Sequence, residues 1–429
     1  MNSLFRSLTF KNIVKVAAGD ITARAISVLT SIILIREMPV HDYAAFVVYL
    51  SVAVTLAGLV GNSINIALIR FAAEFISRES YRPVGLYRGV FIVEFAIAAS
   101  LTLFAAIAPE KPTVLFFGQS DFVQAFMLGM LAGIASILLQ LAQAFYQSEE
   151  KFNRYILTLW TRSLSVLAFT LILLGTKGIT FMPVAIGFLV IDFALGAFFL
   201  IRHFAGITVV EGERAGAHKP DAEFFASSGW LIGYAVVLAA FGRVDIMMLS
   251  HFTSGEEVAN YGVAFRYYSI MLISLGSITV VLRPKLAHAD MLQPERQRAF
   301  LKNWHRYTLW TAIPILAFII FGKPLYVWIN GEQYSDSFSM FAILTSGVWL
   351  GLVLNPYVKI LIANRNFSSI FFLGLAAFAV AITGNYFLVP VMGGIGAAIV
   401  TVAANTAINF PAMITVSYTH LTLPTKRIV

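Results

Sequence analysis

The chain has 429 residues, of which 59% are hydrophobic and only 12% are charged. A soluble domain is about 25% charged. A chain of this composition has too few charged residues to form a polar surface around so much apolar side chain. We therefore predict an integral membrane protein. Cysteine is absent, which excludes disulfides and thiolate metal sites.

Twelve mainly apolar segments are long enough to cross a membrane, since a spanning helix needs about 20 such residues. The connections between them are short, and the longest loops on the predicted outer side lie near 109–121 and 329–337. The pattern predicts an all-α fold with about 12 transmembrane helices. In chain order the spans are 13–35, 42–65, 86–108, 122–146, 155–175, 180–201, 228–250, 258–282, 306–330, 338–362, 367–389 and 394–416.

Basic residues are concentrated on one side of the predicted membrane. Nineteen Lys and Arg residues flank the spans on the side of the N-terminus, and four flank them on the other side. Because Lys and Arg accumulate in cytoplasmic loops, we predict that both termini are cytoplasmic. The formal net charge of +8 then reflects contact with anionic membrane lipids, and no nucleic-acid partner is needed to explain it.

The spans divide six and six. "DYAAFVVYLSV" from Asp42 resembles "NYGVAFRYYSI" from Asn260, and at nearly the same offset Arg24 aligns with Arg243. We expect a parallel repeat, which is typical of transporters with a binding site between the halves near the midplane. The predicted lobes are 1–204 and 228–416, joined by a cytoplasmic loop at 205–227.

Charged residues lie inside several predicted spans, although a central Arg costs about 2.5–3.5 kcal/mol on insertion scales. Asp20 and Arg24 are four residues apart and are expected to pair on one helix face. Arg243 and Asp245 are two apart and do not face each other. The cations at membrane depth are Arg24, Arg162, Arg243, Arg266 and Lys359, and the carboxylates are Asp20, Glu94, Asp192 and Asp245.

Two readings of these charges stay open. Structural ion pairs between helices account for any one of them, and snorkelling to the membrane surface accounts for Arg162, Arg266 or Lys359. The surplus of cations and the repeat of Arg24 at Arg243 favour a cavity for an anionic ligand, because Arg binds phosphate through a planar fork of donors.

The sequence contains no P-loop, no GxSxG motif and no pair of histidines at helical spacing. It therefore predicts neither an enzyme nor a metal or cofactor site.

Two stretches resemble a known family. "REMPVHDYAAF" from Arg36 matches a pattern of a basic residue, a short turn with proline and then Asp/Glu-Tyr-Gly/Ala. "GNYFLVPVMGGIGAA" from Gly384 is similar to a recurrent Asn-x-x-Leu-x-Pro-x-x-Gly-x-x-Gly-Ala-Ala segment. On these motifs the chain resembles the polysaccharide flippases, the O-antigen and exopolysaccharide transporters of the multidrug/oligosaccharidyl-lipid/polysaccharide (MOP) superfamily.

The resemblance implies a MATE-like MOP fold of two six-helix lobes around a central cavity. It also implies a lipid-linked anionic glycan, an undecaprenyl-pyrophosphate-linked oligosaccharide, which alternating access moves from the inner to the outer leaflet of the bacterial cytoplasmic membrane. We expect a functional monomer without a cofactor, with coupling to H⁺ or Na⁺ as proposed for such transporters.

The resemblance also implies roles for particular residues. Relatives often have Arg at the positions of Arg24 and Arg243, so these two are expected to bind the pyrophosphate, and we extend that expectation to Arg162 and Arg266. The acidic residues are expected to serve in coupling or in ion pairs; they are Asp20, Glu94, Asp192 and Asp245.

Two alternatives to a flippase remain. A multidrug exporter of the same superfamily is expected to have an aromatic, acidic cavity for organic cations, which the surplus of Arg disfavours. A membrane polysaccharide polymerase or ligase needs a large outer loop, and the longest one here is about a dozen residues. The last stretch, 417–429, is Thr-rich and resembles read-through into a sequencing adaptor, so we expect a non-native tail without function.

Overall fold

The structure is a computed structural model that describes residues 2–79, 82–176, 178–207, 222–287, 294–363 and 367–421. All regular elements in these ranges are helices, which confirms the predicted all-α membrane fold. The chain forms two compact units, Met1–Ala259 and Asn260–Val429, here called unit 1 and unit 2.

Unit 1 is built around one central helix. Helix α6 packs against α2, α3, α4 and α8, while α1 packs along α7. The helices are α1 (Asn2–Glu37), α2 (Val40–Leu56), a π-helical turn (Ala57–Asn62), α3 (Ser63–Glu79), α4 (Val84–Ile107), α5 (Glu110–Phe117), α6 (Val123–Ser148), α7 (Phe152–Gly175), α8 (Phe181–Ala205), α9 (Ala222–Phe241) and α10 (Val244–Phe252).

Small residues allow α6 to approach its neighbours closely. A Cβ at Gly129 would lie 2.8 Å from the carbonyl oxygen of Tyr49, and one at Gly133 would lie 2.8 Å from Leu56. Since lipid tails are as apolar as side chains, helix association in a membrane depends on such close van der Waals packing. Aromatic rings fill the opposite end of α6, where the Tyr87 and Phe145 centroids are 4.3 Å apart.

Unit 2 continues from α11, which begins in unit 1, and its last two helices pack along each other. Tyr267 donates a hydrogen bond to Asn330 Oδ1, 2.6 Å away, and this contact joins α11 to α14. The helices are α11 (Gly255–Ala287), α12 (Pro294–Trp310), α13 (Ala312–Phe321), α14 (Lys323–Asn330), α15 (Ser337–Ala363) and α16 (Phe367–Leu421).

Each of the twelve predicted spans coincides with helix. Within the described ranges, nine helices are long and apolar enough to cross a membrane, and a bent pair makes a tenth. Helix α16 covers the two last predicted spans and departs from helical geometry at Gly393 (φ 56°, ψ −136°), the position between them. Helix α11 covers the predicted span 258–282.

Two boundaries differ from the prediction. The span predicted at 306–330 bends by 68° between Phe321 and Lys323, because Pro324 lacks an amide hydrogen and its ring clashes with the carbonyl four residues earlier. The helix predicted to end at 65 continues to Glu79 after the π-helical turn. Helices α9 and α10 belong to unit 1.

The predicted outer loop near 109–121 is instead helical, and it is bound to α10. Gln119 Nε2 donates to the carbonyl oxygens of Thr253, 2.8 Å away, and Ser250, 3.3 Å away. Ser250 Oγ donates to the carbonyl oxygen of Phe117, 3.2 Å away. Gly118 ends α5 with φ +71°, in the left-handed region that favours glycine.

Part of the predicted loop 205–227 (208–221) and residues 422–429 of the predicted tail lie outside the described residues. The division into six and six spans stays a prediction.

Candidate functional site

Asp20 and Arg24 form the ion pair that their spacing predicts. Arg24 Nε lies 2.7 Å from Asp20 Oδ2 on the continuous helix α1, and both side chains are partly exposed. The pair engages only the Nε of the guanidinium. Within the described residues, the two terminal nitrogens of Arg24 donate to no other group. Asp20 therefore orients Arg24 and leaves its outer donors available.

A hydrogen bond from α7 fixes this part of α1. Trp160 Nε1 donates to the carbonyl oxygen of Gly19 and to Thr22 Oγ1, each 3.0 Å away. One turn further along, Ser27 Oγ and Ser163 Oγ are 3.4 Å apart. The sequence did not identify Trp160 as an anchor, because its partner is a backbone oxygen on another helix.

Arg162 and Asp192 form a second pair, between α7 and α8. Arg162 Nε lies 2.7 Å from Asp192 Oδ1, and Nη2 lies 2.9 Å from Oδ2, which is the two-pronged geometry of a strong charge-assisted bond. Ser136 Oγ lies 3.4 Å from the same carboxylate. A structural ion pair between helices is one of the readings that the sequence left open for Arg162, and the structure identifies Asp192 as the partner that the sequence did not assign.

The two pairs lie at the same level of the bundle. Arg24 follows Thr22 and precedes Ser27 on α1, and Arg162 lies between the two residues of α7 that contact them, Trp160 and Ser163. At this level of the bundle, Arg24 is held through one nitrogen and Arg162 through two.

Arg243 lies at a break in the predicted span 228–250. It precedes α10 with φ −142° and ψ 1°, and its carbonyl oxygen accepts the first helical bond from Met247, 3.2 Å away. Asp245 is buried in the first turn of α10, where Oδ1 accepts the backbone N–H of Ile246 at 2.8 Å. A carboxylate at this position stabilises a helix N-terminus. Arg243 and Arg24 therefore occupy different local structures, a helix break and a continuous helix.

Arg266 belongs to unit 2, on α11, and is partly exposed between Phe265 and Tyr267. The side chain of Lys359 lies outside the described part of the chain.

Glu94 is fully buried on α4. Its side chain is 0% exposed, and neither carboxyl oxygen has a hydrogen-bond partner among the described residues. Of the four acidic residues singled out from the sequence, Asp20 and Asp192 are paired with Arg, and Asp245 binds a backbone amide.

A charged cluster at one end of unit 1 was not identified from the sequence. Glu149 is nearly buried and contacts Lys151 Nζ, His203 Nε2 at 3.6 Å and Arg82 Nε at 4.0 Å. Arg82 also donates to the carbonyl oxygen of Gly206 at 2.6 Å. The cluster joins the segment before α4 to the ends of α6 and α8 and the start of α7. The basic residues in it had been assigned to membrane topology alone.

Solved structures share this fold over nearly the whole chain. A lipid II flippase MurJ in an inward closed conformation matches with a TM-score of 0.69 and 14% identity, over 96% of this chain and 87% of that one. An inward-facing multidrug resistance MATE family transporter of the MOP superfamily matches with a TM-score of 0.65 and 13% identity, over 95% and 100%. A MOP superfamily transporter from Pyrococcus furiosus matches with a TM-score of 0.60 and 12% identity, over 95% and 96%.

The helix arrangement therefore defines a multi-pass membrane protein with the fold of the MOP superfamily transporters. The family profile described as "Polysaccharide biosynthesis protein" matches residues 9–289. Since this match covers more than half of the sequence, the chain belongs to that family. A comparison with curated proteins finds no significant match.

Proposed function

We propose that this protein is a flippase for a lipid-linked anionic glycan. It moves an undecaprenyl-pyrophosphate-linked oligosaccharide from the inner to the outer leaflet of the bacterial cytoplasmic membrane by alternating access. In this proposal both termini are cytoplasmic, the protein acts as a monomer and membrane lipids surround it. The chain acts as a transporter without catalysing a reaction.

The observation that carries the proposal is the partial engagement of Arg24. Asp20 binds one nitrogen of the guanidinium and leaves the two terminal nitrogens for a ligand. A guanidinium edge of this kind matches two oxygens of a phosphate group. In this proposal the anionic group that crosses the bilayer is the pyrophosphate of the lipid carrier.

Arg243 completes the binding pair in this proposal, with Arg266 and Arg162 as further contacts. Asp20 has two roles, holding Arg24 while the site is empty and exchanging an H⁺ or Na⁺ when the phosphate arrives. Because the carboxylate on Nε and a phosphate on the terminal nitrogens are two anions beside one guanidinium, arrival of the phosphate favours uptake of H⁺ or Na⁺ by Asp20.

A multidrug exporter is the second candidate, because the fold also matches a multidrug resistance MATE family transporter over 95% of this chain. The arginines at membrane depth disfavour an organic cation, since like charges repel.

The proposal is tested by glycan export in cells that depend on this chain and by drug resistance in cells that lack their own exporters. We expect Arg24→Ala and Arg243→Ala each to abolish export at normal membrane abundance, with Arg24→Lys intermediate. Lys111→Ala, which changes an exposed cation on α5, serves as the matched control. Normal export by both Ala variants, or drug resistance without glycan export, would overturn the proposal.

A further inference from the structure

Four polar residues with buried polar atoms lie on helices that pack against the π-helical turn of unit 1. They lie on α2, α3, α4 and α6, and each of these helices packs against the turn. Several of their atoms are buried and have no hydrogen-bond partner among the described residues. The atoms are Thr55 Oγ1, both amide atoms of Asn65, both carboxyl oxygens of Glu94 and Gln140 Oε1.

Glu94 lies in the middle of the buried face of α4. Val90, one turn earlier, and Ala98, one turn later, are both buried, and Val90 belongs to the core that includes Ile64 and Leu138. Since residues four apart share a helix face, the carboxyl group points into the interior of unit 1 and away from lipid.

No described charged side chain faces Glu94. The π-helical turn and α6 contain no acidic or basic residue. On α3 the described charges are Arg70 and Glu74, which are exposed, and on α4 the nearest charge, Arg88, is exposed too. The phenol of Tyr87 is engaged with Ser148 Oγ at 2.8 Å. A carboxylate at Glu94 would be shielded from solvent and would face no cation among the described side chains, so this environment favours the protonated, neutral acid.

The π-helical turn links this interior to the helix that precedes Arg243. A Cβ at Gly58 would lie 2.9 Å from Ala239 Cβ on α9, one turn before Arg243. On its other side, a Cβ at Gly61 would lie 3.3 Å from Gln140 Oε1. Isolated π-helical turns occur frequently at functional sites, and this one touches both the polar interior and α9.

We propose that Glu94 is a proton-binding site separate from the Asp20–Arg24 pair, in the polar interior to which Thr55, Asn65 and Gln140 also contribute buried atoms. In the conformation described, the carboxyl group carries a proton. When the helices around the π-helical turn separate, the O–H bond breaks, the proton passes to water, and the carboxylate is hydrated. The inference deepens the proposed transport function, because it supplies the site at which a proton is taken up and released.

The first test does not depend on any glycan. Dicyclohexylcarbodiimide, an apolar reagent that modifies protonated carboxyl groups, is applied to the purified full chain at neutral pH, and modified peptides are mapped by mass spectrometry. We expect modification at Glu94, and protection of Asp20 and Asp192, which are ion-paired. Glu94→Gln removes the label, whereas Asp192→Asn keeps it. An unmodified Glu94 in folded protein would overturn the proposal.

The second test separates a proton site from a structural role. We expect glycan export by the parent chain to vary with pH, Glu94→Gln to flatten that profile and Glu94→Asp to retain it. A Gln variant with the parent's pH profile contradicts the proposal. Labelling of Glu94 in a chain that exports no glycan would instead leave the proton site in place and remove the proposed substrate.

Discussion

The indole nitrogen of Trp160 donates a hydrogen bond to the carbonyl oxygen of Gly19, 3.0 Å away, one residue before the acidic partner of Arg24. This bond sets the position of α1 against α7 at the level of the Asp20–Arg24 pair. The orientation of the guanidinium thus depends on a side chain that carries no charge and lies 136 residues further along the chain.

Trp160→Phe keeps an aromatic side chain but replaces the indole by a smaller phenyl ring that has no N–H donor. Hydrogen bonds between membrane helices average about 0.6 kcal/mol, so we expect a loss of about 1 kcal/mol in the free energy of unfolding. Glycan export should fall by more than the loss of folding stability accounts for, because α1 is no longer fixed against α7 beside Asp20. Thermal unfolding in detergent and export rates provide the two measurements. Trp310→Phe, which changes an exposed ring, should change neither; an equal effect there would contradict the assigned role.

The Arg162–Asp192 pair predicts a rescue by double substitution. Arg162→Ala leaves the nearly buried Asp192 carboxylate without its cation and should cost about 1–3 kcal/mol of unfolding free energy. Arg162→Ala combined with Asp192→Ala should recover part of that loss, since no charge is left unpaired. Chemical denaturation of the single and double variants measures this difference. Additive losses would show that the two side chains do not stabilise each other, and export by the double variant separates a structural pair from a ligand.

Glu149→Gln should destabilise unit 1. The substitution removes the charge that Lys151, His203 and Arg82 share, and it leaves cations close together at a nearly buried position. We expect a loss of about 1–3 kcal/mol, measured by thermal unfolding. Glu150→Gln is the matched control, because Glu150 is adjacent and exposed. Equal stability of the two variants would mean that the cluster contributes nothing.

Gly118→Ala should destabilise the contact between α5 and α10. Its φ of +71° is strained for alanine, and the added Cβ would lie 2.5 Å from the carbonyl oxygen of His251. Backbone strain of this kind costs about 1–3 kcal/mol, and the steric clash with His251 destabilises the variant further. Gly175→Ala, where a Cβ would meet no atom within 4 Å, should have no such effect. Protease accessibility near 118 and 251 provides the measurement, and an unchanged cleavage pattern would contradict the prediction.

Local spacing decided what the sequence could predict. The Asp20–Arg24 pair follows from a separation of four residues on one helix, and apolar length alone located the spans. The Arg162–Asp192 pair joins two helices, so both residues were identified but their pairing was not. The role of Trp160 was not predicted because its partner is a backbone oxygen on another helix. The role of Glu149 was not predicted because packing alone brings its partners together.

Two helix boundaries that were not predicted do have sequence patterns that mark them, those of α5 and α14. Helix α5 has an acidic residue, Glu110, in its first turn and glycine after its last residue, which is a pattern typical of short helices. Pro324 marks the start of α14. The π-helical turn carried no such signal; in the structure it packs against five helices, α2, α3, α4, α6 and α9.

The hydrogen bonds of Gln119 and Ser250 restrain the movement of α5 relative to α10. Three hydrogen bonds join α5 and its following turn to α10 and the turn after it, and a displacement of α10 from α5 breaks all three together. At about 0.6 kcal/mol each they amount to about 2 kcal/mol, a bias of about 30-fold toward the joined arrangement. Separation of this end of unit 1 is therefore a concerted, infrequent event, and losing any one bond makes it about three times more frequent.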